Sequence, residues 1–472
     1  MRRRALVLAA AAVSALALPA CPRARASASE ITVVSDTTVA GYGTRLHRIV
    51  LQTPALPGGG NRTEIQVLLP PDYSSSSSRR YPVLYLLHGS GDTDRSWADP
   101  HHGDLAGIEA KVGFADAVVV MPDGGNSSGR PREAGWYTDW LRSDDQYGPP
   151  QWETYLTQQL VPWVDSTYAT KTDRSERVVA GLSMGGYGAM ALAARHPGLF
   201  GIAASFSGAV DIADGGLPEA QAFNQLHSAD GTPDANIWGD YAADEVNWRG
   251  HNPPDLVSNL DHTVLYARSG TGVVNPANGD SPQDAPLEAG VASMNTLFFA
   301  DLQRAGIPCD CAFTPTGTHS WPYWRADLTD FLTKLPGWLG SKAASSPRSF
   351  DYRSTGARFS AYGWSFSADP RRADEFLAAT GVTSRGLSLT GSGLTTVVTP
   401  PGLFSAGETV RVTGAGPAGT ASATAGSDGS LTFRVDLGPP HPNQEFTPQG
   451  DAAGDRLPGY FVTADVGLRR AH

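Results

Sequence analysis

Gly181-Leu182-Ser183-Met184-Gly185 constrains this chain more than any other stretch. It stands between the apolar run Arg177-Val178-Val179-Ala180 and an Ala-rich segment from Gly186 to His196 that Pro197 stops. Strand, tight turn and helix, in that order, form the context in which G-x-S-x-G lifts a serine hydroxyl above the end of a strand. The glycines follow from crowding, since a strained turn of this kind leaves no room for side chains beside the serine. The helix start also brings amide N–H groups next to Ser183, so Met184 N–H is expected to hold a developing oxyanion. A second donor is expected from the turn His88-Gly89-Ser90-Gly91, which follows the strand-like run Val83–Leu87, with Ser90 N–H as the donor.

A serine hydroxyl is a poor nucleophile until a histidine takes its proton and a carboxylate orients that histidine. Among the eleven histidines, His319 in Gly317-Thr318-His319-Ser320-Trp321 stands in a loop after the strand-like stretch 311–314. The chain order serine, acid, histidine puts the base there. His196 and His262 read as helix-end or surface residues, and His88 belongs to the oxyanion turn. The acid must fall between Ser183 and His319, and residue chemistry alone leaves Asp280, Asp284, Glu288 and Asp301 open.

Up to about residue 339, apolar runs at 65–69, Val83–Leu87, 117–121, 178–180 and 264–267 alternate with helical patterns. That is the layout of a mostly parallel sheet flanked by helices, and the unbroken apolar character suits strands buried on both faces. With the serine turn it predicts an α/β-hydrolase fold. After Ser341-Lys342-Ala343-Ala344-Ser345-Ser346-Pro347 the composition turns to Gly, Thr, Val and Ser. Short strand candidates at 386–389, 395–399, Thr409–Thr413 and 431–435 lie there between Gly, Pro and Asp turn signals. The expected division is a signal peptide over 1–28, an esterase domain over 29–346 and a β-rich, sandwich-like accessory domain over 347–472. Because the linker is polar and small and every catalytic candidate precedes it, a chain ending near Ser345 is expected to stay soluble and active.

Met1-Arg2-Arg3-Arg4, an apolar stretch from Ala5 to Leu18 and the ending Ala26-Ser27-Ala28 read as a signal peptide. The protein is therefore expected to be secreted or held in the cell envelope. Leu18-Pro19-Ala20-Cys21 also outlines a lipoprotein cleavage site, which Pro19 disfavours. The apolar stretch is shorter than the roughly 20 residues a spanning helix needs, so no membrane span is expected. A net charge of −11 leaves no basic stripe to neutralise phosphates, which excludes nucleic acid as a partner. Cys309 and Cys311, two apart on a strand-like stretch, point to one face. Bridging them would strain the bond, so packed thiols are the favoured reading and an oxidised pair the alternative. His101-His102 beside Asp99 and Asp104 point apart and lack zinc-site spacing, and no metal or cofactor is expected.

Several stretches resemble the secreted mycolyltransferases, the antigen 85 proteins, within the wider esterase D-like group. They are Tyr85-Leu86-Leu87 with Gly89 and Trp97, Val120-Met121-Pro122 with Gly124-Gly125, and Trp136-Tyr137-Thr138-Asp139-Trp140. Trp152-Glu153-Thr154-Tyr155-Leu156-Thr157, the serine turn, Ile237-Trp238-Gly239 and Gly317-Thr318-His319-Ser320-Trp321-Pro322-Tyr323-Trp324 continue the match in family order over about residues 60–335. The resemblance implies an acyl-enzyme on Ser183, His319 as general base, and a glutamate acid just after a leucine. Pro286-Leu287-Glu288, followed by Asn295 and Phe298, fits that segment, which selects Glu288 with Asp284 as runner-up. Trp136, Tyr137, Trp140, Trp321 and Trp324 are candidates for lining the substrate cleft, with core packing as the alternative.

The chain departs from the mycolyltransferases at the oxyanion turn. There the family carries Asp-Gly-Leu-Arg and uses the charged residues on a sugar acceptor, whereas this chain has His88-Gly89-Ser90-Gly91, the form of general esterases in the wider group. The expected function is a secreted carboxylic ester hydrolase or acyltransferase, taking an acyl ester and passing the acyl group to water, a sugar or another alcohol. Trehalose mycolyl transfer proper, and non-catalytic binding to the envelope on a hydrolase scaffold, are the competing readings. The resemblance does not reach 347–472, where contact with the cell envelope or a polysaccharide is expected.

Overall fold

The computed structural model describes residues 30–470 apart from 59, 115, 126–133, 144–145 and 214–233. The expected signal peptide lies outside the described residues. Nine strands form the first sheet: β1 Thr32–Thr38, β2 Leu46–Gln52, β3 Arg62–Leu68, β4 Val83–Leu87, β5 Val118–Pro122, β6 Arg177–Leu182, β7 Ile202–Phe206, β8 Val264–Ser269 and β9 Cys309–Phe313. Their order is β1-β2-β3-β5-β4-β6-β7-β8-β9. The first three are joined antiparallel to one another and to β5; from β5 to β9 every pairing is parallel.

Strands β4 to β7 are buried along their whole length, which is why their sequences are apolar without a break. The two-residue period of a strand sends alternate side chains to two separate cores. Val83, Tyr85 and Leu87 enter one, Leu84 and Leu86 the other; Val118 and Val120 divide from Val119 and Met121 in the same way. Helix Met184–Arg195 follows β6, helix Ala285–Ala305 follows β8 and helix Trp321–Lys334 follows β9. This topology brings His88, Ser183, Ser207, Gly270 and the loop after β9 to one edge, the carboxyl ends of the parallel strands, where open α/β sheets carry their sites.

Residues 350–470 form two antiparallel sheets. One has six strands, in spatial order Phe350–Ser354, Leu377–Thr383, Gly386–Gly391, Val462–Arg470, Thr409–Thr413 and Ser422–Thr424. The other has four, Arg358–Ala361, Trp364–Ser367, Gly393–Val398 and Thr432–Leu437. Both contribute to a third apolar core around Trp364, Phe366, Leu389, Val410, Phe433 and Val435. Among the described residues no helix is long and apolar enough to cross a membrane, and no group of three or more His, Cys, Asp or Glu side chains could hold a metal.

One expectation changes here. Cys309 and Cys311 are bridged to each other rather than lying as free thiols. On edge strand β9 their Cα atoms are 5.2 Å apart, inside the span a disulfide tolerates, so the shared face that the i, i+2 spacing provides suffices. The polar stretch 341–347 is held in place by Arg174. The buried Arg174 guanidinium donates through Nη1 to Ala344 O (2.6 Å) and Ser345 O (2.9 Å) and lies over the Tyr362 ring.

The C-terminal sheets then lean on the first domain. Tyr352 OH donates to Arg195 O, and the buried Asn259 amide donates to Arg353 O and accepts from Arg353 N–H, each at 2.9 Å, as a strand neighbour would. A Cβ on Gly250 would collide with Thr355 Oγ1, so the approach is close. Asn259→Ala is expected to lower the unfolding free energy by about 2–4 kcal/mol, because it leaves several buried backbone groups without partners. Urea unfolding followed by tryptophan fluorescence reads this, and an unchanged midpoint would mean the contact carries no stability.

Candidate active site

The elbow is built as its sequence requires. Ser183 sits between β6 and helix Met184–Arg195 at φ 51°, ψ −118°, a conformation that a non-glycine residue holds only when its surroundings enforce it. Ser183 N–H donates to Phe206 O (2.9 Å), and its carbonyl accepts from Tyr187 N–H (3.0 Å) and Ala209 N–H (3.3 Å). The flanking glycines answer to contact distances: a Cβ on Gly181 would lie 2.5 Å from the Gly185 carbonyl carbon, and one on Gly185 would lie 2.6 Å from both Leu87 O and His88 O.

From this serine a hydrogen-bonded chain runs to Glu288. His319 Nε2 is 2.8 Å from Ser183 Oγ, and His319 Nδ1 is 2.7 Å from Glu288 Oε2. Glu288, in the first turn of helix Ala285–Ala305, is fully buried. A buried carboxylate is tolerated only when its oxygens are met by donors. Glu288 Oε1 accepts from Gly270 N–H (2.5 Å), Ser207 Oγ (2.8 Å) and Ser269 Oγ (3.1 Å). Burial, with the Glu288 charge nearby, pushes the Asp327 carboxyl up to about 8, so at neutral pH it adds no second full negative charge. The Asp284 carboxylate stands apart from this chain of contacts; its backbone carbonyl accepts from His319 N–H (3.3 Å) and its N–H donates to Ser281 O (3.1 Å).

The turn after β4 lies against the nucleophile. A Cβ on Gly89 would be 3.4 Å from Ser183 Cβ and 2.5 Å from Leu182 Cδ1. Met184 opens its helix, so its N–H lies outside the helical ladder. His88 is buried beneath the turn, and Gly91 faces open space.

Trp136, Tyr137 and Trp140 are all buried in the core, as the packing alternative to cleft lining has it. Trp136 packs edge-on against Tyr187 and Trp238, each at 5.5 Å between centroids. Tyr137 fills space that glycines vacate, since a Cβ on Gly124 would lie 2.5 Å from its ring. Trp140 donates Nε1–H to Gly135 O. An aromatic run is apolar enough to be consumed by the core, and here it is. Trp324 is buried edge-on against the His319 ring, 5.0 Å between centroids at 84°. It therefore walls the imidazole, while the partly exposed Trp321 packs on Trp97 (5.1 Å).

Sequence reasoning did not single out Ser207, Ser269 and Gly270. Each stands at the carboxyl end of a parallel strand, and that position was the available signal.

A nucleophile elbow over a mostly parallel sheet with helices on both faces makes this an α/β hydrolase. Residues 58–335, more than half of the chain, match the family described as "Putative esterase", and the chain belongs to that family. It is 34% identical over 303 residues to esterase Rv1288 of Mycobacterium tuberculosis, covering 63% of this chain and 61% of that one. It is 31% identical over 221 residues to the diacylglycerol acyltransferase/mycolyltransferase Ag85C of Mycobacterium leprae, covering 44% and 61%. The chain thus matches less than two thirds of the length of either relative. An S-formylglutathione hydrolase from Agrobacterium tumefaciens superposes with a TM-score of 0.48 at 20% identity, over 66% of this chain and 100% of that one. Of these two relatives, one is named as an esterase and the other as an acyltransferase.

Proposed function

We propose that this protein is an exported serine esterase that works through an acyl-enzyme on Ser183, with His319 as general base and Glu288 as the acid that orients it. The observation that carries the reading is the unbroken chain Ser183 Oγ, His319, Glu288, with contacts of 2.8 and 2.7 Å. Ser183 Oγ attacks the ester carbonyl and gives its proton to His319 Nε2. The oxyanion rests on Ser90 N–H and Met184 N–H, and His319 protonates the departing alcohol. A water or a second alcohol, deprotonated by the same nitrogen, then releases the acyl group and restores Ser183.

Labelling by a fluorophosphonate probe that disappears in Ser183→Ala is the expected result; labelling that persists in that variant moves the nucleophile elsewhere. The chemistry is assigned to residues 29–346, and the β-rich module over 347–472 to contact with the envelope or a polysaccharide. Export is proposed from residues 1–28, and a mature protein whose mass lacks them tests it.

Hydrolysis of simple acyl esters is favoured over transfer to trehalose. A site that selects a sugar does so through fixed polar partners, which discriminate by factors on the order of 10⁴ in favourable cases. At the two positions where the mycolyltransferases carry charge, His88 is buried and Gly91 has no side chain. With an activated acyl donor and millimolar trehalose, free acid is expected to dominate the products. Acylated trehalose as the main product would replace this reading with mycolyl transfer.

A further inference from the structure

His88 departs from the mycolyltransferase pattern, and it is the most heavily engaged side chain near the oxyanion turn. Its ring is buried. Nδ1 lies 2.8 Å from Gly89 O, Gly124 N–H donates to Nε2 at 2.8 Å, and Asp123 Oδ1 lies 3.3 Å from Nε2. The His88 carbonyl accepts from Tyr137 OH at 2.9 Å, and Tyr137 is the second of two consecutive buried residues at φ 52°.

The tautomer follows from these contacts. Burial opposes charging the ring, but Asp123 and Gly89 O outweigh it and raise its pKa above the ordinary value; in the neutral ring the short approach of Gly124 N–H needs a lone pair on Nε2. The proton therefore sits on Nδ1 and is donated to Gly89 O. Gly89 C=O and Ser90 N–H belong to one peptide unit, planar and trans, so they point in opposite directions. Gly89 O also accepts from Asp92 N–H at 3.2 Å across the turn, and the shorter His88 contact adds to that bond in setting the direction of Ser90 N–H. It also polarises that peptide and strengthens the N–H as a donor.

We infer that His88 is a positioning residue for the oxyanion hole. As the Nδ1–H tautomer it locks the Gly89–Ser90 peptide against the loop of Asp123 and Gly124, and so governs transition-state stabilisation without touching the substrate. This rests on the assignment of Ser183 and Ser90 above. The role explains why a titratable ring is buried in a turn that otherwise consists of small residues.

The test compares wild type, His88→Leu, His88→Ala and His88→Asn, using p-nitrophenyl acetate and an alkyl trifluoromethyl ketone whose hemiketal places an oxyanion in the hole. In His88→Leu and His88→Ala, kcat is expected to fall about 10- to 100-fold with KM within about twofold, and ketone affinity to fall by the same factor. Loss of one oxyanion donor costs about 10²–10³-fold and a misdirected one less. His88→Asn, whose amide can still donate to Gly89 O, should recover at least about fivefold over His88→Ala. A merely structural role would lower the melting temperature without this recovery or the parallel loss of ketone affinity. Unchanged kcat in His88→Leu, or a recovery confined to folding yield, overturns the inference while fluorophosphonate labelling of wild type stays intact. Absence of that labelling in wild type removes the Ser183 assignment itself, and the inference with it.

Discussion

Ser183→Ala and His319→Ala are each expected to lower kcat on a p-nitrophenyl ester by about 10⁴–10⁶-fold, with the fold intact, as removal of either member of a serine–histidine pair does. Ser183→Ala opens no large cavity, and His319→Ala empties the space of one ring. Ser183 contributes one hydroxyl, and the elbow it occupies is held by backbone bonds to Phe206, Tyr187 and Ala209 that alanine retains. His319 is braced by Trp324, whose ring can close only part of the space. The double variant should be scarcely worse than either single one, because the two residues act as a unit. Esterase activity within about tenfold of wild type in either variant would refute the assignment.

The second large effect belongs to Glu288→Gln, for which a loss of about 10³–10⁴-fold in kcat is expected, against less than about threefold for Asp284→Asn. The reason lies in which donors can turn round. Ser207 and Ser269 hydroxyls can rotate to accept, but Gly270 N–H can only donate. It therefore holds the amide oxygen of the glutamine and leaves the NH₂ facing His319 Nδ1. That nitrogen must then carry the lone pair, which puts the ring proton on Nε2, the atom that has to accept from Ser183. The enzyme would keep its shape and hold the wrong tautomer. Asp284→Asn leaves the backbone carbonyl that His319 N–H uses. The reverse ranking of the two variants would transfer the acid to Asp284.

If both results hold, the accessory module becomes the open chemical question. Asn259 and Tyr352 tie it to the first domain by hydrogen bonds, and the buried Arg174 guanidinium lies over its Tyr362 ring. A chain ended near Ser345 should therefore unfold at a lower temperature than the full chain, even though every residue assigned to the chemistry precedes the cut. Solubility and ester hydrolysis by that shortened chain stay as the expectation drawn from the polar linker. Polarity measures how a segment meets water in isolation, and here the carbonyls of Ala344 and Ser345 meet a guanidinium instead.

The sequence by itself determined the local pieces: an elbow around Ser183, apolar runs for β3, β4, β5, β6 and β8, a histidine loop after β9 and a β-rich segment after residue 347. Each has a short-range cause. Strand and helix periodicities, the crowding that demands Gly181 and Gly185, and the turn signals all act within a few residues, so they can be read along the chain.

The tertiary structure decided what depends on strand order and register. Residue chemistry left four carboxylates open for the acid. Only the folded sheet brings Glu288, 31 residues from His319, under Ser207, Ser269 and Gly270. Tertiary packing also placed Trp136, Tyr137 and Trp140 in the core and turned His88 towards the Gly89 and Gly124 backbone. Those outcomes turn on which surfaces meet across the sheet, and partners far apart in the chain leave no mark in local composition.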